Sequence, residues 1–301
     1  MYIVKHVVVT GANAGLGFQT ALKLAGDGAK VVMACRNLEK GQAALNQILE
    51  RVPGADVLLL RLDVSDLDSV REFSAHFSHQ VGSLDILINN AGIVAIPLTR
   101  NDAGHELQLA TNYLGAFALT GMLLPLFRRE RPARIVNVGS LAHRFGTLDI
   151  NDLNWEQTPY DQWKAYARSK LAMLSFTMQL SRCLRKMSSN ITALAAHPGF
   201  AATEIHKKSE ALAPKNAFSK WLQEKVTPLV PSAVDAARPI ILAASADPVS
   251  GGEYYGPGGF LEIGGRPSKA RVNPVANDIG VGKRLWAVSE SMTGVHYLSD
   301  L

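Results

Sequence analysis

Two tyrosine–lysine pairs in one stretch of the chain have the spacing needed to move a proton. Tyr166 and Lys170 are four residues apart, as are Tyr160 and Lys164, and residues four apart share one face of a helix. A free tyrosine has a pKa of about 10, too high for efficient acid–base catalysis at neutral pH, and a nearby cation lowers it. Either pair could exchange a proton with the oxygen of a bound molecule, and the spacing alone does not choose between them.

The position along the expected helix favours Tyr166. Pro159 suits the first turn of a helix, so Tyr160 is expected at or just before the helix start, with a solvent-facing phenol. At about 100° per residue, Tyr160 and Tyr166 point about 120° apart and cannot both face one ligand. The residues after Tyr166 also become apolar. The sequence therefore predicts Tyr166 as the buried and better aimed phenol.

A glycine-rich turn near the amino end has the character of a phosphate site. It reads Thr10-Gly11-Ala12-Asn13-Ala14-Gly15-Leu16-Gly17 and lies between an apolar run and a helical segment. Glycines let the backbone approach a pyrophosphate, and the N–H groups at a helix start favour negative charge. The alternative is a glycine turn that binds nothing, which the position between strand and helix disfavours.

These residues require a scaffold of alternating strands and helices. Short apolar runs occur at residues 6–9, 31–33, 57–60, 86–88, 134–138 and 191–194, with a weaker one at 253–255, and longer helical stretches separate them. Continuous apolar strands are typical of a parallel sheet covered on both faces. We predict an α/β fold: one Rossmann-type domain over residues 1–301, with a doubly wound parallel sheet of about seven strands, helices on both faces, and ligands at the carboxyl ends of the strands.

In their order along the chain, these motifs resemble the short-chain dehydrogenase/reductase family. The resemblance rests on the Thr-Gly-x-x-x-Gly-x-Gly loop, on Asn89-Asn90-Ala91-Gly92 and on Tyr166-Ala-Arg-Ser-Lys170. Further matches are Asp63-Val64, Asn112, Ser140, Pro198-Gly199 and Thr203. The segments Ala34-Cys35-Arg36, 111–115, His197-Pro198-Gly199 and 285–290 are similar to the branch that holds retinol dehydrogenases and WW-domain oxidoreductases.

The resemblance implies an enzyme that interconverts a carbonyl compound and an alcohol by hydride transfer with a nicotinamide cofactor. It implies Tyr166 as the acid/base, Lys170 as the residue that lowers its pKa and binds the ribose, Ser140 as the partner of the substrate oxygen, and Asn112 as the holder of a proton-relaying water. The implied cofactor contacts are Gly11, Asn13, Gly15, Leu16, Gly17, Arg36, Asp63, Val64, Asn89, Ala91, Gly92, Tyr166, Lys170, Pro198, Gly199 and Thr203.

The end of the second strand favours NADP(H) over NAD(H). Enzymes that use NAD place an acidic residue about 20 positions after the loop, on the ribose 2′-hydroxyl. Here the segment reads Ala34-Cys35-Arg36-Asn37, with Arg36 19 residues after Gly17. A guanidinium can bind a 2′-phosphate with paired hydrogen bonds.

Two stretches depart from the rhythm of strands and helices. Residues 200–231 correspond to the family's substrate lid, and residues 256–301 form a C-terminal extension that ends in a helix. The lid carries the apolar residues Phe200, Ile205, Leu212, Phe218, Trp221 and Leu222. An apolar lid favours a lipophilic carbonyl or alcohol substrate, unless these side chains only pack against the core.

Composition narrows the partners and the compartment. The net charge of +5 comes from scattered basic residues, which suits an anionic cofactor and not nucleic acid. Two cysteines, no signal-peptide pattern and no metal-ligand spacing favour a cytoplasmic protein without a metal. The uncharged run 107–127 contains polar residues and a proline, so we expect a buried helix and not a membrane span. His143 and His197, close to the expected site, are interpreted as structural histidines.

Two other functions remain open at this stage. Sugar-nucleotide epimerases or dehydratases also pair tyrosine with lysine, but their loop usually reads Thr-Gly-x-x-Gly-x-x-Gly. A non-catalytic NADP-sensing regulatory protein would typically lack the tyrosine, which is present here at Tyr166. Because related enzymes often pair through their long helices, the resemblance also allows a homo-oligomer.

Overall fold

Eight strands form one sheet in the computed structural model, which describes residues 4–199 and 231–298. The strands are β1 (His6–Thr10), β2 (Lys30–Cys35), β3 (Val57–Arg61), β4 (Ile86–Asn89), β5 (Ala133–Val138), β6 (Ile191–Ala196), β7 (Tyr254–Pro257) and β8 (Pro267–Lys269). Their order is β3-β2-β1-β4-β5-β6-β7-β8, parallel except for the antiparallel β7–β8 pair. The predicted parallel sheet is confirmed, and short β8 adds an antiparallel edge.

The helices alternate with these strands, as βαβ units require. They are α1 (Gly15–Gly26), α2 (Leu38–Arg51), α3 (Leu67–Gln80), α4 (Leu107–Leu109), α5 (Gly115–Leu123), α6 (Gln162–Lys186), α7 (Ala233–Ser245), α8 (Pro274–Asn277) and α9 (Ile279–Thr293). A π-helical turn, Ala110–Leu114, joins α4 to α5. Asn37, Asp66 and Asp161 accept backbone N–H bonds at the starts of α2, α3 and α6, whereas α1 has no side-chain cap.

The two faces of the sheet are covered by different helices. Alternate strand residues point to opposite faces, so Val8 lies in one apolar cluster and Val7 and Val9 in the other. The first cluster includes side chains from α3, α5, α6 and α9, and the second includes side chains from α1, α2 and α7. This is the predicted doubly wound arrangement, and it leaves the strand ends free to form a site.

The C-terminal extension shares the core beneath α5 and α6. Trp286 of α9 packs edge-on against Phe117, with ring centroids 5.2 Å apart, and lies 5.6 Å from Phe176. The hydroxyl of Tyr297 donates to the carbonyl of Phe117 at 3.0 Å. Aromatic pairs at these separations add to the stabilisation that burial provides. The last helix is therefore packed into the body of the fold.

One helical stretch of the described chain, Leu107–Leu126, is long and apolar enough to cross a membrane by length and composition alone. In the structure, 72% of its apolar window is buried inside the molecule. Core helices of soluble proteins pass the same test. The buried helix predicted for this run is what the structure shows.

Candidate active site

The strand order creates a crevice between β1 and β4. The chain leaves β1 toward β2 and β3, and returns to the other side of β1 with β4. Ligands bind at such a switch point, beyond the carboxyl ends of the strands. The segments after β1, β2, β4, β5 and β6 therefore border the candidate site, and each carries residues that the sequence singled out.

The glycine loop after β1 has the backbone of a phosphate site. Gly11 and Gly15 have φ angles of +66° and +55°, which glycine adopts without strain. A Cβ on Gly15 would meet nothing within 4 Å, whereas a Cβ on Gly17 would clash with the Gly11 carbonyl. Because α1 has no side-chain cap, the N–H groups of its first turn remain available beside this open space. These residues fit the pyrophosphate of a dinucleotide.

Asn90 secures this loop from β4, a role that the sequence did not predict. Its Nδ2 donates to the Thr10 carbonyl at 2.8 Å, and its backbone N–H and that of Ala91 donate to Thr10 Oγ1 at 2.9 Å. Asn89, predicted to contact the cofactor, points the other way. Its amide is buried and donates to Asn137 at 2.8 Å, which leaves only its backbone for the crevice. Because neighbouring residues of a strand point to opposite sides, the sequence could have distinguished the direction of Asn89 from that of Asn90.

Ser140, Tyr166 and Lys170 meet at the end of β5. Ser140 caps the short 3-10 helix Leu141–Phe145 and lies within hydrogen-bonding reach of the Tyr166 hydroxyl. Lys170 donates from Nζ to the Val138 carbonyl at 2.9 Å. Tyr166 and Lys170 project from the same face of α6, and both are buried. The structure thus brings together the three residues to which the sequence analysis gave catalytic roles.

Burial is the main cause of the pKa shifts of Tyr166 and Lys170. It raises the pKa of Tyr166 above its usual value, and the hydrogen bond with Ser140 acts in the opposite direction. Burial also lowers the pKa of Lys170 to about 8. In the chain by itself, the pKa shift of Tyr166 is therefore opposite to the lowering that the sequence led us to expect from Lys170. The phenol holds its proton at neutral pH and suits a proton donor.

Gly92 leaves room between Lys170 and Asn112. A Cβ on Gly92 would lie 3.1 Å from Asn112 Oδ1 and 3.4 Å from Lys170 Nζ. Asn112, in the π-helical turn, accepts from Ile93 N–H at 2.8 Å and donates to the Ile93 carbonyl and to Ser169 Oγ, both at 2.9 Å. Its side chain therefore ties the segment after β4 to α6.

Arg36 and Asp63 follow neighbouring strands, β2 and β3. The Arg36 guanidinium lies 3.6 Å from Asp63 Oδ2, and 68% of its side chain is exposed. Asp63 Oδ1 accepts from the backbone and hydroxyl of Ser65 at 3.0 and 2.6 Å. Val64 is buried beneath Gly115, where any Cβ would strike its carbonyl. Arg36 is thus free to reach a ligand, while Val64 serves packing.

The segment after β6 begins with His197 and turns at Gly199. Gly199 has a φ of +74°, and its N–H donates to His197 Nδ1 at 3.1 Å. The predicted contact Thr203 and almost all of the predicted lid, residues 200–230, lie outside the described residues.

The second tyrosine–lysine pair has a different role from the first. As predicted, Tyr160 lies just before α6, which begins at Gln162 with Asp161 as its cap. The expected solvent-facing phenol is wrong: Tyr160 donates to Glu106 Oε1 at 2.9 Å and accepts from Gln108 Nε2 at 2.9 Å. Glu106 and Gln108 are fully buried. A buried carboxylate needs such donors, so Tyr160 anchors the loop before α6.

Tyr160→Phe is expected to reduce the free energy of unfolding by about 1–2 kcal/mol and kcat by only a few-fold. The change leaves Glu106 without one donor and Gln108 without one acceptor, and unsatisfied buried groups carry costs of this size. Denaturant unfolding and steady-state turnover measure the two effects. Tyr297→Phe, which removes a single bond to the Phe117 carbonyl, is the control and should cost less. An inactive but fully stable Tyr160→Phe enzyme would contradict this assignment.

Comparison with known proteins agrees with the fold and shows the family. The family described as short chain dehydrogenase matches residues 5–213. Human retinol dehydrogenase 13 is 39% identical over 293 residues, covering 97% of this chain and 85% of the relative. The crystal structure of an uncharacterized protein from Mycobacterium Paratuberculosis is 38% identical, with a TM-score of 0.79 over 97% of this chain and 94% of that one.

A more distant structure shares the fold. L-sorbose reductase from Gluconobacter frateurii, solved with NADPH and L-sorbose, has a TM-score of 0.67 at 22% identity, over 83% of this chain and 94% of that one. A parallel sheet with a dinucleotide loop after β1 and a Ser–Tyr–Lys trio after β5 defines a class of nicotinamide-dependent oxidoreductases. The chain belongs to the short-chain dehydrogenase/reductase family and resembles its retinol dehydrogenase branch.

Proposed function

We propose that the protein is an NADP(H)-dependent oxidoreductase that interconverts a lipophilic carbonyl compound and its alcohol. The observation that carries the proposal is the meeting of Ser140, Tyr166 and Lys170 beside the glycine loop. A protonated phenol within reach of a serine hydroxyl can deliver a proton to a carbonyl oxygen that the serine holds. In the second tyrosine–lysine pair, the Tyr160 hydroxyl is held by Glu106 and Gln108 and is not placed beside Ser140.

Each residue has a distinct task in this proposal. A bound nicotinamide would supply the hydride for reduction or accept it in oxidation. Ser140 holds the substrate oxygen, and Tyr166 gives or takes the proton. Lys170, buried at the end of β5, holds the ribose with its ammonium group. Asn112 keeps Gly92 and its neighbours against α6. The glycine loop receives the pyrophosphate on the N–H groups of α1.

Arg36 supports NADP(H) as the cofactor. Its exposed guanidinium stands at the carboxyl end of β2, where an enzyme that uses NAD would place an acid. Asp63 lies 3.6 Å from Arg36 and restrains its position. A planar guanidinium matches a phosphate with paired, charge-assisted bonds. These features favour a 2′-phosphate over a 2′-hydroxyl.

Exposed aromatic residues beside the site support a lipophilic substrate. Phe145, at the end of the 3-10 helix that Ser140 caps, is 83% exposed, and Phe260 is 84% exposed. Phe145 and Phe260 lie in segments joined by the ion pair between Arg144 and Glu262. Exposed apolar groups beside a catalytic crevice favour an apolar ligand. The name of the human relative, a retinol dehydrogenase, points in the same direction.

A panel of substrates tests the proposal: carbonyl compounds are assayed with NADPH and alcohols with NADP⁺. We expect kcat/KM for hydrophobic aldehydes and ketones to exceed that for polar sugars such as L-sorbose by about tenfold or more, because even one methylene group held in a matching apolar pocket is worth about 10-fold or more. Sugars turned over faster than hydrophobic carbonyls would refute the lipophilic assignment. Absence of turnover with every pair would refute the reaction class.

The proposal also includes the compartment. The two cysteines, Cys35 and Cys183, are free and buried. Burial raises the pKa of the Cys35 thiol to about 11, which keeps it protonated and unreactive. Free thiols suit a reducing environment, so we propose a cytoplasmic enzyme whose residues 1–301 form one domain.

A further inference from the structure

Two segments at the strand ends carry the residues assigned to the substrate and the cofactor. The segment after β5 contains Ser140, which holds the substrate oxygen in the proposed function. The segment after β6 contains Pro198 and Gly199, which the family resemblance assigns to the cofactor. Hydride transfer requires these segments to keep a fixed separation, because misplacement by about 1 Å can cost as much as 10²-fold in rate.

Glu262, from the C-terminal extension, contacts both segments. Its Oε2 accepts from His197 Nε2 at 3.0 Å and pairs with the Arg144 guanidinium at 2.7 Å. Its Oε1 accepts from the Arg271 N–H at 3.2 Å. Only 14% of the Glu262 side chain is exposed. We call this set of contacts, from Glu262 to His197 and Arg144, the Glu262 bridge.

On the cofactor side, the bridge fixes the tautomer of His197. Because Nδ1 of this fully buried ring accepts from the Gly199 N–H at 3.1 Å, its Nε2 carries the proton and donates to Glu262. Burial lowers the pKa of His197 to about 4, so the ring stays neutral in the physiological range. A Cβ on Gly256 would clash with this ring. The imidazole therefore transmits the position of Glu262 to Gly199.

On the substrate side, β7 and the extension support the Ser140 segment at further points. His143 Nδ1 donates to the Ser140 carbonyl at 2.6 Å, and the Tyr254 hydroxyl donates to the same carbonyl at 3.4 Å. Asn273 Nδ2 donates to the His143 carbonyl at 3.1 Å. The Tyr254 ring lies 5.3 Å from His143 and 5.0 Å from His197. Tyr254, Glu262 and Asn273 together hold the backbone that presents Ser140.

The backbone at Glu262 is strained in order to make these contacts. Leu261 and Glu262 have φ angles of +52° and +60°, in the left-handed region that residues with a Cβ avoid. Such conformations are unfavourable and persist where the surroundings fix them. This turn leaves Leu261 exposed and Glu262 directed inward. Strain held in place by an inward carboxylate is typical of a functional position.

We propose that Glu262 is a positioning residue for the reaction: through His197 and Arg144 it holds the Pro198–Gly199 segment and the Ser140 segment at the separation that hydride transfer needs. The proposal rests on the proposed function for its effect on rate. Its structural part, the coupling of the two segments through Glu262, stands on the contacts alone. The C-terminal extension is thereby part of the active site, and Glu262→Ala should loosen both segments together.

The test combines kinetics with hydrogen exchange on the full-length protein. We expect Glu262→Ala to lower kcat about tenfold, with a change of less than about threefold in the KM for NADPH, because the pyrophosphate loop after β1 is not touched. Amide exchange should accelerate in residues 139–145 and 197–199. Glu262→Gln keeps an acceptor for His197 but loses the charge facing Arg144. Its kcat and its exchange rates should lie between those of the wild-type protein and those of Glu262→Ala.

Glu253→Gln is the matched control. Glu253 belongs to the same part of the chain, pairs with Lys269 at 2.6 Å and accepts from the Ser250 N–H at 3.2 Å. Its replacement should leave exchange in residues 139–145 and 197–199 unchanged. Equal acceleration in Glu253→Gln, no acceleration in Glu262→Ala, or acceleration without loss of kcat would each overturn the proposal. A wild-type protein without turnover would refute the proposed function, while the exchange result would still decide whether Glu262 couples the two segments.

Discussion

Tyr166→Phe is expected to lower kcat by at least about 10²-fold, the lower end of the usual loss when acid–base catalysis is removed. Tyr166 is the phenol within reach of Ser140, and burial keeps its proton in place at neutral pH by raising its pKa. Phenylalanine keeps the ring and the packing but cannot give a proton to the substrate oxygen. Single-turnover reduction with NADPH measures the loss, and NADPH affinity should change little because the phenol acts on the substrate.

The pH profile gives this prediction a second readout. Oxidation of an alcohol requires Tyr166 to accept a proton, so the reactive form is the phenolate. With a folded-state pKa raised by burial, the phenolate fraction grows as pH rises through the neutral range, and oxidation should accelerate with it. Reduction uses the protonated phenol, which predominates throughout that range, and should be nearly independent of pH. The rise in oxidation rate should disappear in Tyr166→Phe. An active Tyr166→Phe enzyme beside an inactive Tyr160→Phe enzyme would reverse the assignment of the two pairs.

The pattern of strands was sufficient to predict the fold, because a strand that is buried on both faces is apolar at every position. Runs such as residues 6–9 and 86–88 are continuously apolar, and β1 and β4 lie side by side within the sheet. Strand β8 has no such signal, since Pro267, Ser268 and Lys269 contain no apolar alternation and pair only at an edge. Its existence depends on the tertiary contact with β7, which a local pattern does not contain.

The site was predicted where local spacing determines geometry. Tyr166 and Lys170 share a face because a helix has 3.6 residues per turn. The error at Tyr160 has a different origin, because its partners Glu106 and Gln108 lie 54 and 52 residues away in sequence. Glu262 lies 65 residues from His197, and no local pattern links them. Pairings between distant segments follow from the assembled fold, so a sequence read by spacing alone finds the trio and misses what holds it.

Arg36→Asp is expected to shift the cofactor preference, measured as the ratio of kcat/KM with NADPH to that with NADH, by about 10- to 150-fold toward NADH. That range corresponds to the roughly 1.5–3 kcal/mol of a charge-assisted hydrogen bond. Arg36 suits this test because its side chain is largely exposed and its ion-pair partner is the single carboxylate Asp63. The substitution should cost little stability, since surface ion pairs contribute little.

Two effects add in Arg36→Asp. The paired donors to a 2′-phosphate are lost, and a second carboxylate beside Asp63 repels the phosphate while it can accept a bond from the ribose 2′-hydroxyl of NADH. Arg71→Asp, which makes the same change of charge at an exposed position on α3, is the control and should leave the ratio unchanged. A wild-type enzyme that is faster at limiting NADH than at limiting NADPH would refute the preference. An equal shift of the ratio in Arg71→Asp would mean that net charge, and not contact with the cofactor, sets the preference. A shift confined to Arg36→Asp would place the 2′-phosphate at the carboxyl end of β2.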